Sequence, residues 1–139
     1  MKIEWRDSLS VGVDEIDAQH KHLIDKYNAF FTAYFEGRAD DEVIRLLNFL
    51  EIYVATHFAD EESLQQRIDF PDYQRHRQEH REFTRKVTLF KKRIEKEGPT
   101  KDLFTSVGLL MTGWLIDHIS VMDRAIGRFI AERERKAGN

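Results

Sequence analysis

Cysteine is absent from all 139 residues. That excludes disulfides, iron–sulfur clusters, thiolate-held zinc and a cysteine nucleophile. Proline occurs twice and glycine seven times, too few for the many turns an all-β chain of this length would need, so a mostly helical protein is expected. No stretch approaches the roughly 18 consecutive apolar residues of a membrane span. The N-terminal MKIEWRDSLS lacks the apolar centre of a signal peptide, and a cytoplasmic protein is expected. The net charge is only −3, which gives no basic footprint for nucleic acid. Against these gaps stand 41% hydrophobic and 12% aromatic residues, enough for a real core. A single domain spanning 1–139 is expected.

The pattern places an irregular arm at 1–16, where Trp5, Val11, Val13 and Ile16 alternate with the turn formers Asp7, Ser8, Ser10 and Gly12. Four amphipathic helices follow, at about 17–37, 40–67, 71–97 and 100–135. Their apolar residues recur at three- and four-residue steps. Gly37 is placed to end the first helix, and Asp40 or Asp41 to cap the second. Pro71 suits the first turn of the third, Thr100 the cap of the fourth. The charged tail AERERKAGN is expected to fray. Short connections force neighbours to run antiparallel, so the predicted architecture is all-α, an up-down-up-down four-helix bundle behind an N-terminal arm.

Six histidines carry the chemistry. Residues four apart on a helix lie one above the other. His57 and Glu61 form such a pair on the second helix, His76 and His80 on the third, and each pair falls on its helix's apolar stripe. His20 and His118 also face inward. Two residues from His20, His22 points to another side and is expected at the surface. Unpaired polar groups are costly to bury, and a metal supplies what they lack. Imidazoles and carboxylate without thiolate suit iron, zinc, copper or nickel. Five imidazoles exceed the four ligands of structural zinc, whereas two metals sharing carboxylates use that number. Glu61 could bridge. From the last helix, Asp117 and Asp123 are both candidates for a second bridge, and spacing favours Asp123 only modestly. A metal-free helical interaction module is the competing reading.

The segments DAQHKHL (17–23), HFADEE (57–62), HRQEH (76–80) and WLIDHISVMD (114–123) together resemble the hemerythrin family in order and spacing. SVGVDEID and Trp5 resemble the arm of its bacterial members. The resemblance implies reversible dioxygen binding, for storage, delivery or sensing, at two non-haem irons joined by an oxo or hydroxo group, without enzymatic activity. It implies His76, His80 and His118 on one iron, and His20 and His57 on the other, where oxygen binds. Glu61 and Asp123 would bridge them, which selects Asp123 over Asp117. Leu23, Phe58, Trp114, Leu115 and Ile119 would form the apolar wall around the gas, and small anions such as azide or chloride would occupy the same place in the diferric form. A di-iron oxidase, peroxidase or nitric-oxide-handling protein on the same scaffold is the alternative. Gln65 departs from a position where the family commonly has Met, and either an inward or a surface orientation fits the sequence. Phe70 stands where Tyr is frequent. Gln19, Glu62 and Asp17 lie close in sequence to the imidazoles and could accept their outer N–H groups.

His118 and Asp123 are five residues apart, about 140° on a regular helix. Either a π-type widening brings them into line, or the helix stays regular and the two approach from its two sides. The widening is the favoured expectation.

Overall fold

The structure is a computed structural model that describes residues 2–138; residues 1 and 139 of the expected domain lie outside the described residues. Four antiparallel helical rods follow the arm. They are α1 (Asp14–Phe35), α2 (Ala39–Arg67), α3 (Tyr73–Glu97), and a fourth rod made of α4 (Lys101–Gly113), a π-helical segment (Trp114–Asp123) and α5 (Arg124–Ala137). The connections 36–38, 68–72 and 98–100 are short enough to turn each rod straight back. α1 packs on α2, α2 on α3, and α4 on both α2 and α3. The ring closes between the first and last rods, where Phe30 stacks on Phe104 at 4.2 Å.

Local chemistry explains most boundaries. At Gly37, φ is +72°, a conformation that costs glycine little, and the Arg38 N–H donates back to the Ala33 carbonyl. Thr100 caps α4, its hydroxyl accepting from the Leu103 N–H at 3.1 Å. Several boundaries differ from expectation. α1 begins at Asp14 rather than 17, because the arm turns into it at Val13. No side chain caps α2; Asp40 and Asp41 sit inside its first turn, where their charge meets the positive end of the helix dipole. Pro71 lies in the turn ahead of α3, held by the Tyr73 N–H donating to the Phe70 carbonyl. The tail remains helical to Ala137, tied down where Arg133 donates to the Ile68 carbonyl.

The main core runs through all four rods, around Leu23, Leu47, Leu50, Phe83, Leu103, Met111 and Ile119. A smaller cluster of Val11, Ile16, Leu64, Phe70 and Ile126 seals the arm end. Each such side chain contributes about 1.5–3 kcal/mol by leaving water. The fourth rod has an 18-residue window with mean hydropathy 1.2, apolar enough by length and composition to cross a membrane. Its most apolar side is spent on this core, where Leu103, Val107, Met111, Leu115 and Ile119 are buried.

The arm is latched rather than loose. Its 3-10 turn (Asp7–Leu9) packs on the π segment, and Trp5 lies partly buried against the main core. The Val11 N–H donates to Asp17 Oδ1 at 2.9 Å and the Ser10 hydroxyl to Asp17 Oδ2. Gly127 permits this approach: a Cβ there would stand 2.7 Å from the Ser10 carbonyl oxygen and 2.9 Å from Val11 Cα.

Candidate metal centre

Seven polar side chains stand in the middle of the bundle where apolar ones would be cheaper. His20 comes from α1, His57 and Glu61 from α2, His76 and His80 from α3, and His118 and Asp123 from the π segment. None is more than 3% exposed. Their inward atoms form two overlapping sets, Glu61, His76, His80, His118 and Asp123 in one, and His20, His57, Glu61 and Asp123 in the other. In each set one ligand atom per residue lies within 4.8 Å of all the others. Glu61 and Asp123 belong to both.

The π segment is what aims Asp123 inward. The Arg124 N–H donates to the Ile119 carbonyl five residues back, and this wider winding turns residues five apart toward one side. Asp123 Oδ1 thus lies 3.0 Å from His118 Nε2. Asp117 is exposed. The distortion covers ten residues, Trp114–Asp123, well beyond the reach that the His118–Asp123 spacing alone demands.

The outer ring nitrogens settle which way the imidazoles face chemically. His57 Nδ1 lies 2.5 Å from Gln19 Oε1, His80 Nδ1 2.8 Å from Glu62 Oε2, and His118 Nδ1 2.8 Å from Glu79 Oε2. Each of these oxygens accepts, so each Nδ1 donates outward and each ring turns its Nε2 inward. The inward neighbours are acceptors too. His80 Nε2 stands 3.0 Å from Glu61 Oε1, and His57 Nε2 3.3 Å from Glu61 Oε2. Glu61 Oε2 and both Asp123 oxygens are buried without a hydrogen-bond donor. A chamber lined by acceptors needs cations at its centre, and this donor set of imidazole and carboxylate fits a di-iron site.

Charge balance without metal makes the same point. Burial pushes the His20 imidazole toward neutrality, but the Asp123 and Glu61 carboxylates outweigh it and raise its pKa to about 10. His76 is raised to about 10 by the same opposition. Burial dominates at His57 and lowers it. Burial also opposes ionisation of Glu61 and Asp123, yet the imidazoles hold both below the usual carboxylate range.

Other sequence-predicted residues divide clearly. His22 is exposed, edge-on to Phe49. Gln19 and Glu62 meet imidazoles, whereas Asp17 is committed to the arm. Gln65 points inward and is fully buried, its amide Nε2 2.7 Å from His76 Nδ1 and its Oε1 without a partner. Leu23, Phe58, Trp114, Leu115 and Ile119 are all buried. Phe58 lies flat on His80 at 3.9 Å, and Trp114 on His118 at 3.6 Å. Sequence reasoning missed Glu79, which the His76 and His80 pair could have suggested, since it lies three residues past His76. It also missed Tyr53, one turn before His57, whose ring stacks on that imidazole at 4.6 Å while its buried hydroxyl has no partner.

Comparison with known proteins agrees with this geometry. Residues 11–130 match the model of the hemerythrin HHE cation binding domain. The chain belongs to the hemerythrin family. A bacteriohemerythrin of Stenotrophomonas maltophilia is 28% identical over 127 residues, covering 87% of this chain and 76% of that protein. One from Clostridium acetobutylicum is 26% identical over 123 residues, 86% of this chain and 95% of the relative. A hemerythrin of Sipunculus nudus is 29% identical over 119 residues, 86% of each chain. Hemerythrins are non-haem iron proteins of an oxygen-binding family, and the buried cluster suits that chemistry.

Proposed function

We propose that this chain binds dioxygen reversibly at two non-haem irons held by His20, His57, Glu61, His76, His80, His118 and Asp123. The observation that carries the proposal is the acceptor-lined chamber, in which two carboxylates are shared between two imidazole sets. Such sharing suits Glu61 and Asp123 to hold both irons. A di-iron centre supplies the two electrons that reversible oxygen uptake needs.

The protein's own residues do the rest. The His76, His80 and His118 set has five ligand groups and the His20 and His57 set four, so room for an exogenous ligand falls on the His20 and His57 side. Dioxygen would take it, or azide or chloride in the oxidised form. Leu23, Phe58, Trp114, Leu115 and Ile119 are buried and would keep water out of the chamber. All seven titratable groups of the chamber serve as ligands in this reading. In this reading the chain is a carrier rather than an enzyme.

The test is anaerobic loading with ferrous iron, followed by cycles of air and argon. The absorbance change should appear with oxygen and reverse without it over repeated cycles. Oxygen consumed irreversibly, with ferric protein accumulating in the first cycle, would instead favour the oxidase alternative.

A further inference from the structure

Resting on the di-iron reading above, we infer that the two metal positions fill in a fixed order, the His76, His80 and His118 position first and the His20 and His57 position second. The difference lies on the outer side of the rings. His80 and His118 each give their Nδ1–H to a carboxylate, Glu62 and Glu79, at 2.8 Å. A carboxylate acceptor makes the opposite nitrogen a stronger donor and locks the tautomer in advance. Both rings are also clamped from the side, by Phe58 and Trp114 lying within 10° of parallel to them.

The second position has no carboxylate on the outer side of its rings, although Tyr53 stacks on His57 at 4.6 Å. His57 gives its proton to the neutral amide of Gln19, which itself donates to Asp60 at 2.8 Å. His20 has nothing: its Nδ1 is buried with no partner. No outer acceptor fixes that ring's tautomer in advance, which weakens it as a ligand. Charge acts in the same direction. Glu61 and Asp123 are common to both sets, so the first cation neutralises the anions on which the second depends. Arg77 Nε, 3.8 Å from Glu62, tempers one of the two carboxylates and leaves Glu79 untouched. A singly loaded protein with an intact His76, His80 and His118 position is therefore a defined state, and the exchangeable metal is the one on the side proposed for oxygen.

Equilibrium dialysis of the metal-free protein against ferrous ion, under argon, tests this without any oxygen chemistry. Two steps separated by at least about tenfold are expected. His20→Ala should remove the weak step alone, and His118→Ala the tight one. Glu79→Gln and Glu62→Gln are near-isosteric changes at partly exposed positions, and circular dichroism of the metal-free variants should match the parent. Each should weaken the tight step by about 10–100-fold and leave the weak step in place. Two equivalents bound in one unresolved step would overturn the order while leaving the di-iron reading intact. So would loss of the tight step in His20→Ala, or Glu79→Gln and Glu62→Gln acting on the weak step. Failure to bind two equivalents under any condition would overturn the di-iron reading, and the order with it.

Discussion

His76 Nδ1 and the side-chain amide of Gln65 lie 2.7 Å apart, both fully buried. A ring that offers Nε2 to a metal must give its Nδ1–H to an acceptor, and turning the Gln65 amide over replaces the Nε2 that faces the ring with Oε1, which is otherwise buried without a partner. Methionine at the same place has only a weak sulfur acceptor. Gln65→Leu leaves that N–H without any partner, at about 1–3 kcal/mol. We expect Gln65→Leu to weaken iron retention by about 10–100-fold, with Gln65→Glu retaining it. Chelator competition measures both, and equal retention in the two variants would show the contact to be incidental.

His20 and His22 differ by two residues and face opposite environments, one fully buried and one exposed. His22→Ala should leave iron content and oxygen binding unchanged. His57→Ala should lose one metal position. Metal analysis after gel filtration decides it, and matching losses in both variants would mean that the wrong histidine has been placed inward.

Gly127 is held to glycine by the arm. Its substitution by alanine drives a Cβ against backbone at 2.7 and 2.9 Å, and neither atom is a flexible side-chain end. Gly127→Ala should cost about 1–3 kcal/mol of stability and lift the arm from Asp17. Denaturant unfolding reads the first effect and faster proteolysis within residues 2–13 the second.

The metal-free protein should weaken at alkaline pH. Both His20 and His76 have folded pKa values of about 10, above the ordinary 6.5. A raised folded pKa contributes stability that is complete below the unfolded value and lost as pH climbs through the folded one. The Tm of the metal-free protein should therefore fall between neutrality and pH about 10. Iron-loaded protein should show a flatter profile, since metal replaces those protons. A metal-free Tm that rises over this interval contradicts the charge assignment.

The amino-acid sequence by itself determined the four rods and the inward placement of most of the chamber. Periodicity fixes which face of a helix is apolar, and His57 with Glu61, and His76 with His80, fall on those faces at one-turn spacing, so their burial follows from local geometry alone. Tertiary structure decided the rest. Gln65, one turn past Glu61 on α2, shares its buried face, but only the approach of α3 makes His76 its partner. Glu79 reaches His118 across two rods, and Asp17 is taken by the arm instead of an imidazole; both pairings join residues whose separation no helical period relates. Asp123 is the clearest case. On a regular helix it would point well away from His118, and only the π winding of Trp114–Asp123 brings it in. Winding of that kind costs hydrogen-bond geometry, so it is set by what the surrounding bundle and the buried charges gain from it, and not by the residues of the segment alone.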